Sequence, residues 1–302
     1  MNTAATISRQ ICCSSRCKAR LTVLSAVSGD ALNQALSIDQ LARLAPHVRQ
    51  RLVLVLFLSR MEFSRRYSGT LGGALWMFVS PLLTILTIWV ALEFGLSAGG
   101  RLGHNFGNGL AIGLAAWLCF VDIIQSATVS ITSNPHLVKK VVFPVWVLPL
   151  ASAFSAVAVH LTVLFVVTVV LWLTGMSFNL NIFLLLFWVL ALVAFSSATA
   201  VILASLNVSF RDVAVIAPNL TSLLFWLTPI LWPVENLTGV WKFIALLNPM
   251  AVIIEGYRYA FGLKDGGAGL SATLIFVLST FAVSALAAVV YHRTRPAFAD
   301  SL

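Results

Sequence analysis

The chain has 302 residues, of which 60% are hydrophobic and only 10% are charged. Soluble domains carry about 25% charged residues. This composition and a mean hydropathy of +0.97 therefore exclude an ordinary soluble protein and indicate that lipid surrounds most of the chain. The net charge of +9 does not indicate a nucleic-acid partner, because ten of the nineteen Lys and Arg residues lie in positions 1–73, where they suit the lipids of an anionic membrane leaflet.

The first 45 residues, 1–45, are basic and contain no long apolar run. They predict a disordered cytoplasmic tail without a secretory signal peptide. Cys12, Cys13 and Cys17 lie in this tail, but three cysteines without a fourth ligand nearby do not indicate a metal site. We therefore expect reduced, unliganded cysteines here.

Residues 46–73 predict a helix that lies along the cytoplasmic membrane interface. The apolar run 52–58 is too short to cross a bilayer, and arginines flank it on both sides. Within the helix, Glu62 is spaced to pair with Arg65 or Arg66.

Six further stretches are long and apolar enough to cross about 30 Å of hydrocarbon at about 1.5 Å per residue. Because the backbone must satisfy its own hydrogen bonds in lipid, each stretch predicts a helix, and the fold class is an all-α integral membrane protein. The predicted six-helix transmembrane domain occupies residues 74–291, with spans at 74–94, 109–131, 145–173, 182–206, 213–231 and 270–291 and a cytoplasmic tail at 292–302.

The distribution of Lys and Arg predicts the orientation. Fifteen of them lie in the terminal segments and in the loops after spans two and four, whereas four lie in the remaining loops. The positive-inside rule therefore places both termini in the cytoplasm, in agreement with an even number of spans.

Residues 133–144 predict a short cytoplasmic helix between spans two and three. Asn134-Pro135 is a turn or helix-start signal, and Pro144 ends the helix. His136, Lys139 and Lys140 are three and four residues apart, so they share one face of this helix.

Residues 229–269, predicted to lie outside, contain the apolar pieces 241–247 and 250–261. Each piece is too short to span, and prolines separate them, which predicts a re-entrant helical hairpin packed against the bundle. An ordinary external loop is the alternative, but a water-exposed loop need not be this apolar.

Motifs for chemistry are missing from the chain. It has no GxxxxGK[ST] or HExxH motif and no Cys/His metal cluster, and we expect no catalytic residue, metal or cofactor on this chain. Ionisable residues within the spans are few, namely Glu93, Asp122 and His160. Two interpretations of Asp122 stay open: a functional carboxylate, or a carboxylate satisfied by hydroxyls or water inside the bundle.

Several segments in chain order carry a family pattern. They are SRMEFSRRYSGTLGGALWMFVSP at 59–81, NPHLVKKVVFPVWVLPL at 134–150, LNVSFRDV at 206–213, LTPILWP at 227–233, LNPMAVIIEGYR at 247–258 and FAD at 298–300. Together they resemble the permease subunits of type-2 ABC exporters, in particular the subfamily that exports O-antigen, capsule and teichoic acid polymers attached to a lipid. The resemblance extends from about residue 50 to the end.

This resemblance implies a homodimer in the bacterial inner membrane that exports a lipid-linked polysaccharide, for example in lipopolysaccharide biosynthesis. Two separate ATPase subunits would bind the ATP and Mg²⁺, while this chain contacts membrane lipids and no nucleic acid. The residues expected to contact the ATPase are Asn134, His136, Lys139, Lys140, Arg211 and Asp212. Those expected at the interfacial helix and gate entry are Arg60, Glu62, Arg66 and Tyr67. Basic residues that act only as membrane anchors are the alternative.

Aromatic side chains suit a sugar polymer, because pyranose rings stack on aromatic rings and can slide over them. The candidates for lining such a path are Trp89, Trp117, Phe120, Trp172, Phe225 and Trp226. An interfacial aromatic belt is the alternative for each of them.

The outer hairpin is the predicted gate, since a path wide enough for a polymer must be closed at rest. The candidate gate residues are Phe243, Ile244, Pro249, Glu255 and Arg258. Glu255 and Arg258 are spaced to form an ion pair on one helix face. We expect that pair to be exposed and therefore to matter less than the apolar contacts.

Two other functions compete with polysaccharide export. The same fold could export a small hydrophobic drug or lipid. An intramembrane glycosyl- or acyltransferase for lipid-linked substrates is the third hypothesis, but it requires paired acids or histidines at a membrane face, and Asp122 and His160 lie in different spans.

Overall fold

The computed structural model describes residues 46–66, 72–73, 75–95, 106–139, 143–173, 180–232, 234, 237–263 and 269–298. The chain divides into two units, Met1–Val53 and Leu54–Leu302, and almost all of the described structure belongs to the second. Within the described residues, all regular structure is helical. The predicted tail 1–45 lies outside them.

Ten α-helices follow one another along the described ranges. They are α1 (Pro46–Arg66), α2 (Leu75–Val90), α3 (Phe106–Thr128), α4 (Pro135–Val138), α5 (Val147–Leu173), α6 (Ile182–Ser209), α7 (Val213–Leu227), α8 (Gly239–Leu247), α9 (Pro249–Ala260) and α10 (Leu270–Thr294). A π-helical turn, Ala91–Gly95, continues α2, and a 3₁₀ turn, Arg295–Ala297, follows α10.

Four of these helices, α3, α5, α6 and α10, are long and apolar enough to cross a membrane. The apolar helices α2 and α7 have 16 and 15 residues, so each rises only about 22–24 Å. Gly73, with φ of +50°, forms the turn immediately before α2, and the π-turn extends its apolar run to Gly95. The structure therefore contains a helix within each of the six predicted spans, and six full crossings stay a prediction.

Helix α3 is the centre of the bundle. It packs against α2, α5, α6, α7 and α9, and most of its residues are buried. Small residues, among them Gly109, Gly113 and Ala116, let the neighbouring helices approach closely. In contrast, α10 exposes Leu278 and Phe281, as expected for a helix that faces lipid.

A second apolar cluster forms one end of the bundle, which we name the α4 end. It joins Ile131, Val138, Val145, Val208 and Phe298. Helix α4 is shorter than the predicted segment: its helical residues stop at Val138, with Lys139 as its C-cap, and Lys140 lies outside the described residues. The single turn carries exposed His136 and buried Val138, so its apolar side anchors it to the cluster.

The opposite end, named the α9 end, contains the two helices predicted as an outer hairpin. Only Asn248 separates α8 from α9. The two helices differ sharply: α8 exposes Trp241 at 70% and Ile244 at 50%, whereas nine of the twelve residues of α9 are buried. Helix α9 is therefore part of the bundle core, and a re-entrant path through a membrane stays a prediction.

Candidate functional site

A chain of polar contacts runs along the last turn of α1. Glu62 pairs with Arg65 at 2.8 Å and with Arg66 at 3.7 Å, so both of the predicted pairings are present. Arg65 also donates to the Oδ1 atom of Asn134 at 3.2 Å, and Arg66 donates to Asp122 at 2.8 Å. We name these five residues the α1 polar chain. It connects Asn134, the N-cap of α4, to Asp122 of α3.

Asp122 therefore has a partner that the sequence did not reveal. Arg66 lies 56 residues away along the chain, and its side chain is 17% exposed, against 38% for Asp122. The Nη2 atom of Arg66 is buried and has no hydrogen-bond partner among the described residues. The Arg66 guanidinium thus compensates the negative charge of Asp122, while part of the Asp122 side chain still faces open space.

That open space is a cleft of about 260 Å³ between α2, α3 and α5, named the α2–α3–α5 cleft. Most of its wall is apolar. The polar side chains that line it are Ser80, Thr84, Cys119, Asp122, Gln125 and His160. The cleft combines a neutralised carboxylate with uncharged donors and acceptors.

The loop between α6 and α7 is tied to the α4 end by Asn207. This buried amide donates to Thr132 at 3.3 Å and accepts from the backbone of Ala214 at 3.1 Å, so it fixes the angle between the two helices. Arg211 and Asp212, the predicted contact residues, are exposed in the loop. The LNVSFRDV segment contains Asn207, but the prediction of contact residues from this segment covers only its charged residues, Arg211 and Asp212, and does not include the buried amide.

Exposed basic residues thus gather at the α4 end. His136, Lys139 and Arg211 are all exposed, and Val138 and Val208 bring their two segments together in the second apolar cluster. This end offers a positively charged surface to a partner.

At the α9 end, Arg258 forms a buried clamp. Its guanidinium donates to Glu255 at 2.9 Å, to the Gly109 carbonyl at 3.1 Å, and to the carbonyls of Pro229 and Ile230 at 3.2 and 2.9 Å. The side chains of Arg258 and Glu255 are only 11% and 2% exposed. The predicted pair exists, but the expectation of an exposed, minor pair is wrong, because α9 is buried against α3 and the chain after α7.

Two further contacts fix α9. The Nε2 atom of His160 lies 3.0 Å from the Tyr257 hydroxyl, which links α5 to α9 inside the core. Gly256 faces the Trp188 indole so closely that a Cβ atom would overlap it. Only glycine permits this approach of α9 to α6.

The predicted channel aromatics separate into two groups. Trp117 and Phe120 are buried in the protomer core, 5.4 Å apart between ring centroids, and Trp117 lies 5.8 Å from Phe225. Trp172 and Trp226 are exposed at 67% and 68%. Trp89 is half-buried and meets Phe94 edge to face at 6.1 Å.

The structure describes some of the remaining predicted site residues and not others. Arg60 is exposed on α1, and Pro249 begins α9. Tyr67 and the side chain of Phe243 lie outside the described residues.

Comparison with known proteins decides the family. The sequence profile described as ABC-2 type transporter matches residues 53–262. The chain belongs to the ABC-2 type transporter family. ABC-2 membership makes it a multi-pass membrane protein and implies an ATP-binding partner subunit.

Curated relatives match most of the chain. The chain is 29% identical to the O-antigen export system permease protein RfbA of Myxococcus xanthus over 270 residues, which are 86% of this chain and 99% of that protein. Two proteins of the same name from Klebsiella pneumoniae are 23% and 26% identical over 254 and 213 residues. These alignments cover 82% and 69% of this chain and 95% and 80% of the relatives.

Proposed function

We propose that the chain is the permease subunit of an ATP-driven exporter that moves an O-antigen-like, lipid-linked polysaccharide across the bacterial inner membrane. The observation that carries this proposal is the similarity to O-antigen export permeases, which extends over 86% of the chain. The chain works as a homodimer with two ATP-binding subunits, and both termini lie in the cytoplasm.

The α4 end is the proposed docking surface for the ATP-binding subunit. The positive-inside rule places this end in the cytoplasm, and its exposed His136, Lys139 and Arg211 suit a partner groove with acidic character. One turn of helix rooted in the second apolar cluster is a short, stiff contact, because its apolar side is packed against the bundle.

The α1 polar chain is the proposed route from this docking surface to the membrane interior. Movement of α4 would pull on Asn134, which Arg65 and Glu62 connect to Arg66 and Asp122. Charge-assisted hydrogen bonds are short and directional, so they transmit a displacement better than loose apolar contacts.

The α9 end contributes the proposed outer closure. Helix α9 is fixed by Arg258, Tyr257 and Gly256, whereas the exposed helix α8 carries Phe243 and Ile244. If a segment of this end opens during export, the contacts favour α8 over α9. Exposed Trp172 and Trp226 suit sliding contacts to sugar rings, whereas buried Trp117 and Phe120 line a path only where the bundle opens.

Deletion of the gene in its source bacterium tests the function. We expect the surface polysaccharide to disappear and its lipid-linked form to accumulate at the inner face of the inner membrane, with both effects reversed by the intact gene. Normal surface polymer together with a defect in drug or lipid efflux would contradict the proposal and favour export of a small hydrophobic molecule.

A further inference from the structure

The α2–α3–α5 cleft lies within the apolar part of the bundle, where polar side chains are costly unless they have a use. It is lined by Ser80 and Thr84 of α2, Asp122 and Gln125 of α3, and His160 of α5. Isolated polar groups in hydrocarbon are rare, and those that occur mark pathways and ligand sites. Five such groups from three helices converge on one space: Asp122 and His160 are held by Arg66 and Tyr257, and Ser80, Thr84 and Gln125 are exposed and open to a ligand.

The charges of the cleft indicate the class of ligand. Arg66 neutralises Asp122 at 2.8 Å, and the other polar groups at the cleft are hydroxyls, a thiol, an amide and an imidazole that bonds to Tyr257. An anionic ligand group such as a phosphate would be repelled by the Asp122 carboxylate, and the residues that line the cleft include no lysine or arginine to bind it. A neutral ligand rich in hydroxyls can donate to Asp122 and to Thr84, whose own proton goes to the Ser80 carbonyl, and can both donate to and accept from Gln125.

The volume and the apolar wall of the cleft narrow the class of ligand further. Its volume of about 260 Å³ is below the range of about 300–1,000 Å³ typical of drug-sized ligands, so it holds about one ring. Leu118, Val159 and Val163 supply an apolar wall beside the polar groups. A sugar ring has hydroxyl groups at its edge and C–H groups on its faces, and it matches this combination.

We propose that the α2–α3–α5 cleft binds one neutral, hydroxylated sugar ring of a saccharide attached to a lipid. This inference rests on the proposed function for the source of the ring, the exported polymer. The same chemistry occurs in a glycolipid of the bilayer, and the experiment separates the two sources.

The probe is a photoreactive alkyl glucoside added to the full chain in nanodiscs of phosphatidylethanolamine and phosphatidylglycerol. We expect saturable labelling of α2 and α3, displaced by unlabelled octyl glucoside and not by octyl phosphocholine at the same concentration. Equal displacement by both detergents, or no labelling of these helices, would overturn the proposal, because the cleft would then be a general amphiphile surface or closed to ligands.

Matched variants assign the labelling to the cleft. Thr84→Val combined with Gln125→Leu should lower the labelling about tenfold, since each change removes a hydrogen-bonding group without a large change in volume. Thr87→Val is the control, on the same helix but outside the cleft lining, and should leave the labelling unchanged. Thr84→Ser keeps the hydroxyl and should retain it. Equal labelling of the double variant and the control, with both proteins monodisperse, would refute the site.

Competition and export identify the source of the ring. Lipid-linked saccharide from the producing cells should displace the probe at a lower concentration than a glucosyl diacylglycerol, and the double variant should export less polymer. Stronger competition by the glycolipid with normal export would overturn the assignment to the polymer and retain the sugar site. Loss of the proposed function itself is seen separately, as surface polymer that persists when the gene is deleted.

Discussion

Replacing Arg258 by Met tests the clamp at the α9 end. The change keeps the length of the side chain but removes its donors to Glu255 and to three backbone carbonyls. Glu255, 1% exposed as a residue, then loses the cation that faces it in the core. Breaking a buried pair by removing one partner costs about 3–5 kcal/mol, because the remaining charge is uncompensated.

The assay is the apparent thermal unfolding midpoint of the purified chain in nanodiscs. At about 2–4 °C per kcal/mol, we expect Arg258→Met to lower the midpoint by about 6–20 °C. Glu255→Gln should have a smaller effect, about 1–2 kcal/mol, since Arg258 keeps its three carbonyl partners and an amide oxygen replaces the carboxylate. Arg293→Met, at an exposed position in the last turn of α10, is the control and should change little.

The double variant Arg258→Met with Glu255→Gln decides whether the buried charge is the cause. It should be at least as stable as Arg258→Met alone, because the buried carboxylate that has lost its arginine is gone. If the double variant loses, relative to the unmodified chain, the sum of the two single losses, or if Arg258→Met costs under about 1 kcal/mol, the reasoning from a buried, paired charge is refuted.

Three further outcomes are expected. Lys139→Glu should weaken copurification with the ATP-binding subunit while the charge-conserving Lys139→Arg does not, and equal retention of the partner by both variants would leave Lys139 as a membrane anchor only. Gly256→Ala should destabilise the bundle by about 1–3 kcal/mol in the same thermal assay, because its methyl group meets the Trp188 indole, and Trp188→Phe should recover part of the loss; no loss would mean that α9 moves aside freely. Ile244→Gly should raise the resting ion leak through the assembled exporter in planar bilayers if α8 closes the path, and an unchanged conductance would exclude that role for this residue.

The sequence predicts what depends on local spacing. The pairing of Glu62 with Arg65 and Arg66, and of Glu255 with Arg258, follows from helical offsets of three and four, and the structure contains each pair. The apolar stretches likewise predicted the long helices, because a run of that length needs an internally bonded backbone in lipid.

Contacts between distant segments were not predictable from spacing. Arg66 meets Asp122 across 56 residues, and Arg258 reaches the Gly109 carbonyl across 149. A backbone carbonyl carries no residue-specific signal, so nothing in the sequence indicated Gly109. The predicted exposure of the Glu255–Arg258 pair was wrong for the same reason. An apolar amphipathic helix of twelve residues fits a surface or a core, and only its packing against α3 decides between the two.

The two arginine sites share one construction, and both end on α3. In each, a glutamate three or four residues earlier on the same helix pairs with the guanidinium. Glu62 pairs with Arg66, and Glu255 pairs with Arg258. One further donor of each guanidinium reaches α3, at Asp122 in one case and at the Gly109 carbonyl in the other. These two positions are thirteen residues apart, about 20 Å along the helix. Because an arginine fork binds in few geometries, α3 cannot slide past α1 or α9 without breaking a charge-assisted bond. Motion during export must therefore carry α3 together with the end of α1 and with α9, and the relative movement falls on the less anchored helices, of which exposed α8 is the clearest.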